Sequence, residues 1–105
     1  MLKAYIHNWE PAPDPDKNLM HYWFCEAAKD AACWGSQESA EIDAICYNGL
    51  GVTIPSSQGG SYLIRDFQVE EFAPDRFVIY ANAPFIRAER GVMSVRQRSR
   101  EDHVS

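Results

Sequence analysis

The chain has 105 residues, 46% of them hydrophobic and 12% aromatic, which excludes a disordered chain and leaves room for one domain with a modest core. Its net charge of −5 is unevenly spread: residues 1–86 hold twelve acidic against five basic side chains, whereas residues 87–105 hold five arginines against three acids. An acidic body disfavours direct nucleic-acid binding and suits basic partners, and three cysteines without paired spacing fit neither a disulfide framework nor a four-ligand zinc site.

No apolar run approaches the roughly 20 residues of a membrane span, and MLKAYIHNWE lacks the apolar core of a leader, so the expectation is a reduced, cytoplasmic protein. Leu2 to His7 alternates Leu2, Ala4 and Ile6 against Lys3, Tyr5 and His7, the period of a half-buried strand. Glu10 to Asp16 carries proline at every second position and predicts an extended loop with Trp9 at its mouth. In Leu19 to Glu26, Met20, Tyr22 and Phe24 oppose His21, Trp23 and Cys25. Bulk on both faces predicts a central strand or one whose outer face meets a partner. Ala27 to Trp34 reads as a strand resuming after a turn at Lys29-Asp30, with a short helix as the alternative, and burial of Trp23 or Trp34 is expected.

Ser36 to Gly49 is the only segment punctuated as a helix at both ends. Ser36 can cap the first N–H groups, Glu38, Glu41 and Asp43 oppose the positive end of the dipole, and Asn48-Gly49 supplies a left-handed stop. Two apolar stripes result. The bulkier one, Ile42, Ile45 and Cys46, is expected to cover a sheet; Ala40, Ala44 and Tyr47 would then face water, a second chain or the C-terminal tail.

Gly51 to Pro55 predicts a short strand and Ser56 to Ser61 a flexible loop. Tyr62 to Phe72 and Arg76 to Asn82 predict a hairpin joined by Ala73-Pro74-Asp75 in a type I turn. The fold class expected is α+β: an antiparallel sheet of four to five strands in the order β-β-α-β-β-β, with one main helix on one face. Residues 1–86 form the compact acidic domain, and Arg87 to Ser105 form an arginine-rich tail that packs on its own body or a neighbour.

Candidate chemistry is sparse. Cys25 and His21 are four residues apart on one strand, too far for direct contact at about 3.3 Å per residue, although His7 on a neighbouring strand comes closer. A metal set of His7, His21, Cys25 and Asp66 has no supporting spacing. The SSQGG stretch lacks the lysine and the following helix of a phosphate loop. Asp66, Glu70 and Glu71 have nothing in the sequence to raise the pKa of one of them. No catalytic residue, metal or cofactor is therefore assigned.

The leading expectation is a non-catalytic protein-binding module that masks a basic surface of nucleic-acid machinery, by analogy of size and charge with phage- and mobile-element-type inhibitors. Its contacts would be Glu41, Asp43, Tyr47, Asp66, Glu70, Glu71 and Trp9. Two alternatives stand beside it. One is a homo-oligomer, most simply a homodimer, binding a small anionic ligand at a subunit junction through the Ala stripe, the aromatic strand and the arginines of the tail. The other is a small enzyme dependent on Cys25 or a histidine.

Overall fold

The structure, a computed structural model, describes residues 2–11, 19–55, 61–83 and 90–94. Among the described residues there are seven strands: β1 (Leu2–Pro11), β2 (Leu19–Cys25), β3 (Val52–Pro55), β4 (Ser61–Ile64), β5 (Phe67–Ala73), β6 (Arg76–Ala83) and β7 (Arg90–Ser94). They form one antiparallel sheet in the order β4-β3-β7-β2-β1-β6-β5. A 14-residue helix, α1 (Gln37–Leu50), packs on one face against β5 and β6. The α+β class and the single helix on one face are as the sequence predicts; the strand count is higher, for two reasons.

The first is that the long arm read from Tyr62 to Phe72 breaks at Arg65-Asp66. Residues 61–64 turn away to pair with β3, and only Phe67 onward joins β6. The second lies in the arginine-rich stretch. Residues 90–94 form a strand between β2 and β3, with Met93 in register with Met20 and Val92 with His21 and Thr53. The remainder of that stretch, the SSQGG loop and most of the proline-rich segment lie outside the described residues. β2 is central, as its two bulky faces imply.

β1 runs on through Trp9 to Pro11, with a bulge between Ile6 and Asn8. A bulge shifts the side-chain parity by one residue, so Trp9 joins Ala4 and Ile6 on the helix side. β1 pairs with β6 only from Leu2 to Tyr5; beyond that the two separate and residues 31–34 enter the gap. There the Ala32 N–H donates to the Ile6 carbonyl (2.9 Å), and Trp34 exchanges backbone bonds with Phe77 (2.8 and 3.1 Å). Just before it, Ala28–Asp30 makes one 3-10 turn, so the ambiguous 27–34 segment holds a piece of both expected structures. Neither Trp23 nor Trp34 is fully buried; both are half-covered.

The core lies between α1 and the sheet. Ala4, Ile6, Tyr22, Phe24, Val52, Ile54, Ile64, Phe67, Phe77, Ile79 and Ala81 come from the sheet, and Ala40, Ala44 and Tyr47 from the helix. This reverses the expected orientation of α1: Ala40 is 0% exposed and Tyr47 3%, while Ile42 is 59% and Ile45 71% exposed. The cause is volume. The sheet already presents Tyr22, Phe67 and Phe77, and a close-packed interior accepts small residues opposite large ones. Alanines let the helix approach; an isoleucine row would hold it off.

The helix starts where predicted, Ser36 Oγ accepting from the Ser39 N–H at 3.2 Å. It stops two residues later than predicted. Gly49 stays helical, and Gly51, at φ 78° and ψ 152°, carries the break while its N–H donates to the Tyr47 carbonyl at 2.6 Å. That backbone region is open almost only to glycine. A Cβ there would sit 2.8 Å from Leu63 Cδ1 and 3.0 Å from Arg65 Nε. Gly51→Ala is therefore expected to cost about 1–3 kcal/mol in chemical denaturation, whereas Gly49→Ala, where a Cβ meets nothing within 4 Å, should be neutral or stabilising. At the hairpin, Asp75 has φ 58°, a left-handed value that a type I turn does not contain, so the predicted turn type is corrected.

Candidate functional site

The structure separates the seven residues that the sequence singles out. Tyr47 lies in the core, its ring edge-on to Tyr22 (5.3 Å between centroids) and to Phe67 (5.7 Å). Burial, and then the nearby Tyr22 and Asp43, push its hydroxyl far above the ordinary tyrosine range, with Tyr22 also a hydrogen-bond partner. It is an anchor of the helix and is withdrawn from the surface. Asp43 accepts from Trp34 Nε1 at 2.7 Å, and Trp9 stacks on Trp34 at 5.7 Å with 19° between the rings. Asp43 thus ties the entering segment to the helix and Trp9 ties it to β1, and Trp9 keeps 40% of its surface exposed.

Glu70 belongs to the opposite face of the sheet. It accepts from Lys3 Nζ and from the Tyr5 hydroxyl, both at 3.3 Å, while Lys3 also lies over the Tyr80 ring at 4.6 Å. Burial and Glu70 raise the Tyr5 hydroxyl above its usual range. Glu70 and its hydrogen bond likewise raise Lys3, whose ammonium is in water and gains little from the pair. Glu71 accepts from the Asp75 N–H at 3.3 Å and so braces the hairpin turn. Asp66 is exposed at the turn leading into β5.

One predicted residue, Glu41, lies in a concavity. A groove of about 280 Å³ runs between α1 and β5, lined by Gln37, Glu41, Ala44, Ile45, Asn48, Phe67 and Val69. Its helical wall is an i, i+4, i+7, i+8, i+11 stripe, and its floor is the first half of an edge strand, since β5 ends the sheet. On the lip, Glu38, Glu41, Ile42 and Ile45 share the outward face of α1, all exposed. Among the described residues no Lys or Arg lines the groove. Its volume falls just below the roughly 300–1,000 Å³ usual for small-ligand pockets, so it suits side chains of a docked chain better than a whole cofactor.

Sequence reasoning missed Asn48, treating it as part of a helix stop. Its side chain makes two bonds to one residue: Asn48 Nδ2 donates to the Phe67 carbonyl (3.0 Å), and the Phe67 N–H donates to Asn48 Oδ1 (2.6 Å). An amide side chain here stands where a neighbouring strand's backbone would. An asparagine in the last turn of the helix was the available signal.

For nucleophilic or metal chemistry the arrangement offers little. Burial pushes the Cys25 thiol up, the wrong direction for a nucleophile, and its S–H lies 3.4 Å from the Ala27 carbonyl. His7 is taken up at Nδ1 by the Asp30 carbonyl. Among the described residues no three His, Cys, Asp or Glu side chains gather as a metal site, and no disulfide joins the cysteines. Among the described residues no helix is long and apolar enough to cross a membrane. No protein-family model matches the chain, and neither does any curated protein or solved structure.

Proposed function

We propose that this protein is a non-catalytic binding module that holds a basic surface of another protein against the outward face of α1 and the groove beside it. The observation that carries this reading is the pair Ile42 and Ile45, 59% and 71% exposed on one helix face and flanked there by Glu38 and Glu41. Bulky apolar side chains exposed side by side within an acidic rim are the usual composition of a docking surface. The acidic balance of residues 1–86 would steer a cationic partner toward it. A component of nucleic-acid machinery, met in the cytoplasm, remains the class of partner this charge fits best.

The competing junction-ligand reading loses part of its support, because the Ala40/Ala44 stripe it relied on is packed under the helix. Pull-down from a bacterial lysate at low salt, read by mass spectrometry, tests the proposal. The intact chain is expected to retain a basic protein that Ile45→Lys and Glu41→Lys each release, with retention falling steeply as salt is raised. Ile45 and Glu41 are exposed, so both variants should fold normally. Equal retention by intact chain and variants would overturn the surface assignment.

A further inference from the structure

We infer that the outer edge of β5 accepts an extended basic segment of the partner as an added strand, in a register fixed by Asn48; this rests on the docking surface proposed above and assigns its mode. In an extended strand the N–H and C=O of one residue point to the same side, and successive residues alternate. The Phe67 N–H and C=O both meet Asn48, so they face away from β6. Gln68 and Glu70 then face β6, and Val69 and Glu71 face outward. β5 is the last strand of the sheet, so on that side it pairs with no described strand.

The open stretch is short and bounded. Asn48 occupies the outward groups of Phe67, and an irregularity between Glu71 and Ala73 ends the regular ladder before the hairpin turn. Between these stops, the outward N–H and C=O of Val69 stand at the open edge of the strand, beside the groove that Val69 lines together with Glu41, Ala44 and Ile45. A residue of an added strand opposite Val69 places its side chain on the same face as that of Val69, toward the helix. Arginine or lysine fits there: the aliphatic stem lies along Ala44 and Ile45, and the cation reaches Glu41. Main-chain bonds supply affinity and this one position supplies selectivity. A second copy of the chain brings its own acidic edge, with Asp66, Glu70 and Glu71 on or beside β5, and is disfavoured by like charge.

The probe is a seven-residue peptide alternating threonine and arginine, blocked at both ends, with two isomers N-methylated either on the arginine or on the threonine nitrogens. The unmodified peptide is expected to bind the full chain and to slow amide exchange at Val69. Methylation of the arginine nitrogens should weaken binding about tenfold, because in antiparallel addition, the pairing used throughout this sheet, those N–H groups face β5, while methylation of the threonine nitrogens leaves it nearly unchanged. Glu41→Gln should weaken all three, and Val69→Pro, which removes the outward N–H at an edge where proline is tolerated, should weaken the unmodified peptide.

Equal affinity of the two isomers, or unchanged exchange at Val69, overturns strand addition. If that equal binding is still lost in Ile45→Lys, the docking surface itself stands. Absence of binding by any peptide overturns the inference, as does concentration-dependent dimerisation that protects Val69, which would assign the edge to a second copy.

Discussion

Tyr47→Ala should lower the stability of this protein by about 3–5 kcal/mol, while Ile45→Ala, at the more hydrophobic residue two positions before it on the same helix, should change it by no more than about 0.5 kcal/mol. The prediction follows from burial alone. Tyr47 is 3% exposed and bridges Tyr22 on the central strand and Phe67 on the edge strand, so its loss opens a cavity between helix and sheet. Ile45 is 71% exposed, and removing its side chain takes little apolar area out of contact. In a domain of this size each kcal/mol corresponds to roughly 4–8 °C, so thermal unfolding separates the two variants by more than 10 °C. Similar losses for both would mean that the Ile stripe faces the sheet, as hydrophobicity by itself suggests. If Tyr47→Ala fails to fold, Tyr47→Phe supplies the milder test: it keeps the ring packing and removes the hydroxyl that Tyr22 partners, at a cost of about 1 kcal/mol.

Why the helix could be located but not oriented from sequence follows from those same residues. Its start was legible because capping is local: Ser36 lies three residues from the N–H it accepts. Its facing depends on what the sheet brings to meet it, and both stripes of α1 are apolar enough to serve. Phe67 and Val69 on β5 and Phe77 and Ile79 on β6 alternate along their strands and all turn toward the helix. What periodicity does not contain is volume: aromatic rings on the sheet select the alanine face. Leu63, an even number of residues from Phe67 within the predicted arm, is nevertheless 55% exposed, because the break at Arg65-Asp66 resets the side-chain parity. β7 was hidden for a different reason, since five residues within an arginine-rich stretch become a strand only through pairing with β2 and β3, and neither partner is near in sequence.

The candidate site was half legible on the same grounds. Negative charge can be counted, and Glu41 does line the groove. What each carboxylate is already occupied with cannot be counted: Asp43 holds Trp34, Glu70 holds Lys3 and Tyr5, and Glu71 holds the Asp75 N–H. The Glu70 bonds depend on the sheet order that brings β1 near β5, and the Asp43 bond on the segment that enters beside the helix; the Glu71 bond is local to the hairpin. Acidic residues committed to the fold are poor contacts for a partner, which concentrates the proposed surface on Glu38, Glu41 and the two isoleucines between helix and solvent.

Asn48→Ala is expected to destabilise the protein by about 2–3 kcal/mol, a large effect for a half-buried polar residue. Two hydrogen bonds end on its amide, and both partners are backbone groups of Phe67, whose side chain is buried. Removing the amide leaves a donor and an acceptor without their protein partners at the edge of the core, each worth about 1–3 kcal/mol where water cannot fully replace it. Asn48→Asp separates the two bonds: the carboxylate still accepts from the Phe67 N–H but sets a negative oxygen against the Phe67 carbonyl, so part of the loss should persist and should lessen when acid protonates the side chain. Chemical denaturation of the three proteins at neutral and acidic pH measures this, and amide exchange at Phe67 reports the local opening directly. A change below about 0.5 kcal/mol for Asn48→Ala would show that water takes over both groups. The edge of β5 would then be open from Phe67 onward, and an added strand would lose the stop that sets its register.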